Sequence, residues 1–205
     1  MNYLGHLYFS GDNHGLMLAN LYGDFFKGSD FSSLPSVVKE GVILHRQIDE
    51  FTDQHPAILE LFHRILYPLL PKVSGIAMDL FIDHLLASRW GDFHSEDLEN
   101  YSSGFYRYAL NAENHSFESD NLSFTYPGDF LQLLHIMQSK NWLLRYRFPE
   151  GLIMASKGLS ARLSFENNLN EAPEVFSSYQ AIIEKVFNEV MTDGKKKFLD
   201  LRLIY

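Results

Sequence analysis

Cysteine is absent from the chain. That excludes disulfides, thiolate metal ligands and a cysteine nucleophile, and makes a reducing cytoplasm the simplest setting. Basic residues are scarce: 17 Lys and Arg face 26 Asp and Glu, for a net charge of -9. An acidic chain argues against nucleic acid as the main partner, although a local basic patch could override that balance. No apolar run reaches the roughly 18 residues of a membrane span. The opening "MNYLGHLYFSGDNHG" lacks the basic region and long apolar run of a signal peptide. No membrane partner is therefore expected, and the cytoplasm is the expected location. Phosphate loops, the G-x-S-x-G elbow and the dinucleotide-binding glycine fingerprint are missing, so covalent serine chemistry has no support.

What is present is a chain of 205 residues, 46% hydrophobic and 15% aromatic, enough for one folded domain over 1–205 with a sizeable core. Helical periodicity dominates and strand alternation is scarce, which predicts an all-α single compact domain. "GLMLANLYGDFFKG" reads as a helix with Gly28 near its end. "SSLPSVVKEGVILHRQIDEFTD" enters a helix around Pro35, and "HPAILELFHRILYPLL" starts one at Pro56. "SGIAMDLFIDHLLASRWGDF" is a helix closed by Gly91. Ser95 is the expected N-cap of "SEDLENYSSGFYRYALNAE". "FLQLLHIMQSKNWLLRYR" reads as one amphipathic helix, "PEGLIMASKGLSARL" as one or two interrupted at Gly158, and the last helix runs from about Pro173 to Leu201. Residues 113–129 are the least periodic and read as a loop with a short turn.

The chemistry gathers on two helices. "HRQIDEFTD" spaces His45, Asp49 and Asp53 four residues apart on one helical face. The helix with Asp79, Asp83 and His84 is apolar almost all round, which marks it as buried. A buried carboxylate needs a cation: a metal, an arginine or a shared proton. These two helices are expected to meet at one such cation. Asp24 in "ANLYGDFF" and His6 in "YLGHLYF" sit in similar apolar settings. Imidazole and carboxylate donors suit Mn²⁺, Fe²⁺, Zn²⁺ or Mg²⁺. Asp24, His45, Asp83, His84 and His6 are thus candidate metal ligands, with Asp49 beside them. Each could instead be a paired structural group. Asp49 could pair with an arginine such as Arg46, and Asp53 could cap the next helix.

At these residues the sequence resembles the acyl carrier protein phosphodiesterases. The resemblance lies in "MNYLGHL" (1–7), "NLYGDF" (20–25), "GVILHRQIDEFTD" (41–53), "DLFIDHLLASRW" (79–90) and "NWLLRYR" (141–147), with a weaker match in "GLIMASKGLSARL". It implies a helical, metal-dependent enzyme, similar to a divergent branch of the HD phosphohydrolases. Such an enzyme releases 4′-phosphopantetheine from holo acyl carrier protein, with Mn²⁺ as the usual metal. The HD doublet is not present at His45, which is followed by Arg46; the doublet at Asp83 and His84 is reversed. The usual ligand order therefore does not map onto this chain.

Arg46 and Asp49 are the candidate catalytic side chains. A guanidinium binds phosphate oxygens in a bidentate way, although Arg46 could equally be paired with Asp49 or Asp24. An acidic carrier protein requires a local basic patch on this acidic chain. Arg145, Arg147, Lys157 and Arg162 are the candidates, with Trp142 and Tyr146 among them; otherwise the arginines merely snorkel from a core helix. Two rival functions remain open on sequence alone. One is hydrolysis of a nucleotide or other small phosphoester, and the other is a non-catalytic carrier-protein binding module.

Overall fold

The structure, a computed structural model, describes residues 1–119 and 122–200. Its helices are α1 (Tyr3–Phe9), α2 (His14–Tyr22), α3 (Ser36–Asp53), α4 (Pro56–Leu61), α5 (Tyr67–Leu69), α6 (Ser74–Ser88), α7 (Leu98–Ala109), α8 (Gly128–Ser139), α9 (Trp142–Arg145), α10 (Pro149–Ser160) and α11 (Ala172–Phe198). The helical class read from periodicity is the class observed. Between α7 and α8 lies an antiparallel hairpin, β1 (Ser116–Ser119) and β2 (Leu122–Thr125), in the stretch expected to be a loop. Phe117 pairs with Phe124 across it, and Phe124 meets the edge of Tyr22. β1, SFES, has a single apolar residue and so carries no alternation that would mark it as a strand.

The departures from the expected boundaries have local causes. α4 passes through a π turn at Phe62–Leu66 before α5. Pro68 brings no N–H and a ring that crowds the carbonyl four residues back, and widening the turn relieves both. His55, not Asp53, caps α4 by accepting from the Ala57 amide. Asp97, two residues beyond Ser95, caps α7 by accepting from Asn100. The expected helix through "SKNWLLRYR" breaks into α8 and α9 at Asn141, whose φ of 49° is left-handed. α10, in contrast, runs unbroken through Gly158. α11 ends at Phe198; the expected end at Leu201 lies outside the described residues.

α6 is the buried axis, as its all-round apolar sequence requires, and it packs against α1, α10 and α11. α2 and α3 form the tightest pair because Gly41 lets the backbones meet: a Cβ there would lie 2.3 Å from the Ala19 Cβ. α1 packs on both α3 and α6, so the two acid-bearing helices face each other across it. No single helix among the described residues is long and apolar enough to cross a membrane.

Candidate metal centre

The α2–α3 contact sets the position of the site. One turn after Gly41, His45 lies against Gly23, where an added Cβ would fall 2.3 Å from the imidazole Cγ. His6 of α1 stacks on the other face of that imidazole, with ring centroids 4.2 Å apart and planes 14° from parallel. Asn20, fully buried on α2, serves both rings: its Oδ1 is 3.0 Å from His6 Nδ1 and 3.3 Å from His45 Nδ1. Its amide nitrogen donates to the His6 carbonyl and to Ser10 Oγ, which assigns the oxygen as the acceptor. Both imidazoles therefore donate from Nδ1 and present Nε2 to the same side.

Asp49 receives them there. Its Oδ1 is 3.1 Å from His6 Nε2 and its Oδ2 is 3.2 Å from His45 Nε2. Asp24 Oδ1 is 3.3 Å from His45 Nε2. The imidazoles are buried, at 3% and 6% side-chain exposure, whereas Asp49 is 40% and Asp24 61% exposed. The histidines form a floor and the carboxylates a mouth open to solvent. The Met1 amine closes one flank, 3.0 Å from Asp79 Oδ1 and 3.6 Å from Asp49 Oδ1, and so links an α6 carboxylate to an α3 carboxylate.

Charge in the cluster is finely divided. Burial holds His6 down to about 4, so it is neutral near pH 7. Burial also pulls His45 down, but the hydrogen bonds and charges of Asp24 and Asp49 outweigh it and push the ring up to about 9. Burial would raise Asp49, yet the hydrogen bond from His45 and the charge of the Met1 amine keep it well below the usual carboxylate range. His6 is the informative member. With its proton on Nδ1, its Nε2 lone pair faces Asp49 Oδ1 at 3.1 Å and the Met1 carbonyl at 3.1 Å. Two oxygens thus face that lone pair at hydrogen-bond distance without a proton on Nε2 to join them, an arrangement that a cation completes. Ligand atoms of His6, His45 and Asp49 all lie within 4.8 Å of one another, and imidazole and carboxylate are donors that borderline and hard divalent ions take.

The remaining sequence candidates are placed elsewhere. Asp83 is fully buried, and both its oxygens accept backbone amides at the start of α1, Leu4 N at 2.7 Å and Gly5 N at 2.9 Å. Its carboxylate caps the helix that carries His6, and burial pushes it up to about 7 against those two donors. His84 donates from Nδ1 to the Tyr146 carbonyl at 2.7 Å and packs edge-on against Phe176, outside the cluster. Arg46 pairs with neither Asp49 nor Asp24 among the described residues; it reaches the Phe26 and Gly28 carbonyls and lies over the Phe26 and Phe31 rings, so it holds the loop after α2. Arg145 and Arg162 share the rim of a cavity with Trp142, while Arg147 and Lys157 are exposed and outside its lining. Sequence reasoning missed Asn20. Its signal was an amide inside the apolar run "LMLANLY", which demands a buried partner as a carboxylate does.

Residues 1–193 match the family described as acyl carrier protein phosphodiesterase. The chain belongs to that family. Curated acyl carrier protein phosphodiesterases resemble it along nearly the whole length. The Photorhabdus laumondii protein is 24% identical over 204 residues, covering 96% of this chain and 96% of the relative. The Enterobacter protein is 28% identical over 204 residues, covering 97% and 100%, and the Salmonella agona protein 29% over 203 residues, covering 97% and 100%. No solved structure matches the chain. The five segments that carried the resemblance in this phosphodiesterase supply His6, Asn20, Asp24, His45 and Asp49 from three of them, all converging on one centre.

Proposed function

We propose that this chain is a divalent-metal phosphodiesterase that hydrolyses the bond between 4′-phosphopantetheine and holo acyl carrier protein, giving the apo protein. His6, His45, Asp49 and Asp24 are the metal-holding residues in this proposal, and Mn²⁺ is the expected ion. The observation that carries it is the His6 Nε2 lone pair aimed at two further oxygen lone pairs, beside a carboxylate that also meets His45. A divalent ion bound there would acidify a water and draw charge from a phosphoryl oxygen.

The chain's own residues do the rest. Asn20 fixes both imidazoles with Nε2 outward, a second layer of the kind that tunes metal ligands. Asp24, more exposed than Asp49, stands at the mouth where the oxygen not facing His45 can take a proton from an attacking water. Arg145 and Arg162 give an acidic partner a cationic edge on a chain of net charge -9. A carrier-protein substrate places the reaction in the cytoplasm, in keeping with a chain free of cysteine.

Mass spectrometry of holo acyl carrier protein after incubation with enzyme and Mn²⁺ tests this. The expected result is loss of the phosphopantetheine mass with wild type and none with His45→Ala or Asp49→Asn. An intact holo carrier with metal-loaded wild type, or full turnover by both variants, would overturn the assignment.

A further inference from the structure

Beside the centre lies a second feature, a cavity of about 110 Å³ between the start of α1, α9 and α10. Its walls are mainly Tyr3, Trp142, Tyr146, Met154 and Leu159, with Arg145 and Arg162 at the edge. Tyr3 is one helical turn before His6 on α1, so the two side chains share a face of that helix. Asn2, also in the lining, follows Met1, whose carbonyl is 3.1 Å from His6 Nε2, which sets the cavity next to the metal centre. The opposite wall is held in place: His84 fixes the Tyr146 carbonyl, and Asn2 donates to the Tyr146 hydroxyl at 2.8 Å. Gly151 lets α10 approach the Arg145 carbonyl, and Gly158 leaves open space where a side chain would stand.

We propose that this cavity seats the gem-dimethyl segment of the carrier-bound pantetheine arm, the rest of the arm lying along its open edge, a proposal that rests on the phosphodiesterase function above. Pantetheine is uncharged, with a gem-dimethyl group, two amides and a terminal sulfur. The aromatic and Met154 walls suit its methyl groups and methylene links. Asn2 Oδ1 and the Tyr146 O–H, neither with a further partner among the described residues, offer one acceptor and one donor to the amides. The arm's phosphate end then points past Tyr3 towards His6 and His45. Trp142, stacked on Tyr3 at 6.0 Å and under the Arg162 guanidinium, forms part of the wall that the arm would touch.

Binding of free pantetheine, followed by Trp142 fluorescence in the metal-free enzyme, tests the cavity without any turnover. Trp90, buried at 2% exposure, serves as a silent background. Wild type is expected to show saturable quenching. Gly158→Leu, which fills the open space from within a helix that tolerates it, is expected to raise the Kd at least about tenfold with unchanged helix content. Met154→Glu, at a 55% exposed wall position, is a second variant expected to weaken binding should the first perturb folding. No saturable binding by wild type, or equal binding by both folded variants, overturns the proposal. Pantetheine binding that these variants weaken, in an enzyme that leaves holo carrier protein intact, upholds the cavity and refutes the phosphodiesterase function instead.

Discussion

Replacing Asn20 by leucine removes one side chain and loosens the two proposed imidazole ligands. The substitution keeps the approximate volume but deletes the oxygen that both His6 Nδ1 and His45 Nδ1 address. It also leaves the His6 carbonyl without the Asn20 amide, although Ser10 Oγ still donates to it. Loss of an outer partner of a metal-bound histidine typically weakens metal binding by about 10- to 100-fold. One amide serves two imidazoles here, so the upper end is expected, about 100-fold in Kd or about 2.8 kcal/mol. In the metal-free protein two buried N–H donors lose their acceptor, at about 1–3 kcal/mol each, offset by about 1.5–3 kcal/mol from a buried leucine. The balance is centred on a net loss of about 2 kcal/mol, with bounds of about −1 and about 4.5 kcal/mol. Titration calorimetry with Mn²⁺ and urea unfolding with and without the ion separate the two effects. Asn20→Asp keeps an acceptor and should bind Mn²⁺ within about tenfold of wild type. If folded Asn20→Leu binds Mn²⁺ within about twofold of wild type, Asn20 does not orient the ligands.

Four further outcomes are expected. His45 is raised from 6.5 to about 9, so its pairing stabilises the metal-free protein fully below pH 6.5 and is lost as pH rises through about 9. Metal must displace that proton, so calorimetry in buffers of different ionisation enthalpy should detect proton release below about pH 9, with apparent affinity levelling off above it. Gly23→Ala drives a methyl into the His45 ring and should cost most of the Mn²⁺ affinity with little change in circular dichroism. Asp83→Ala should lower stability by roughly 2–4 kcal/mol in urea titrations, since two buried amides lose their acceptor. The Arg145→Glu, Arg162→Glu pair should raise KM for carrier protein and flatten its salt dependence, with kcat on bis(4-nitrophenyl) phosphate unchanged.

How much of this was legible in the residues differs from one group to the next. The helical class followed from periodicity, and His45 with Asp49 followed from a spacing of four, because both are local properties. The demand of Asp83 for a partner was equally legible from its apolar helix. The partner was not: it is the main chain of Leu4 and Gly5, 79 and 78 residues away, and a backbone amide leaves no mark in sequence. Arg46 hid for the same reason, since its acceptors are the carbonyls of Phe26 and Gly28. The basic patch was half legible: Arg145 and Arg162, 17 positions apart, meet at one rim only because α9 and α10 fold back on each other around Gly151. The hairpin escaped because β1, SFES, offers one apolar residue and no alternation, and its Phe117 finds Phe124 only across the turn.

α1 has seven residues, far below the roughly 12–15 at which a helix is stable alone. It exists because Asp83 caps it and because α2, α3 and α6 hold its faces. Because α1 is too short to form before it docks, His6 is expected to be the last of the proposed ligands to arrive. A chain with α2 and α3 joined already offers His45, Asp24 and Asp49, but it lacks the fourth donor until α6 is in place and α1 docks upon it. Metal present at about 100 times its Kd would add about 2.7 kcal/mol to the docked state, and that gain falls on the docking step rather than on the α2–α3 pair. A metal bound at the proposed centre would therefore act as a latch on α1. Amide hydrogen exchange should slow in residues 4–9 on adding Mn²⁺ far more than in the middle of α6, and equal slowing in both would exclude such a latch.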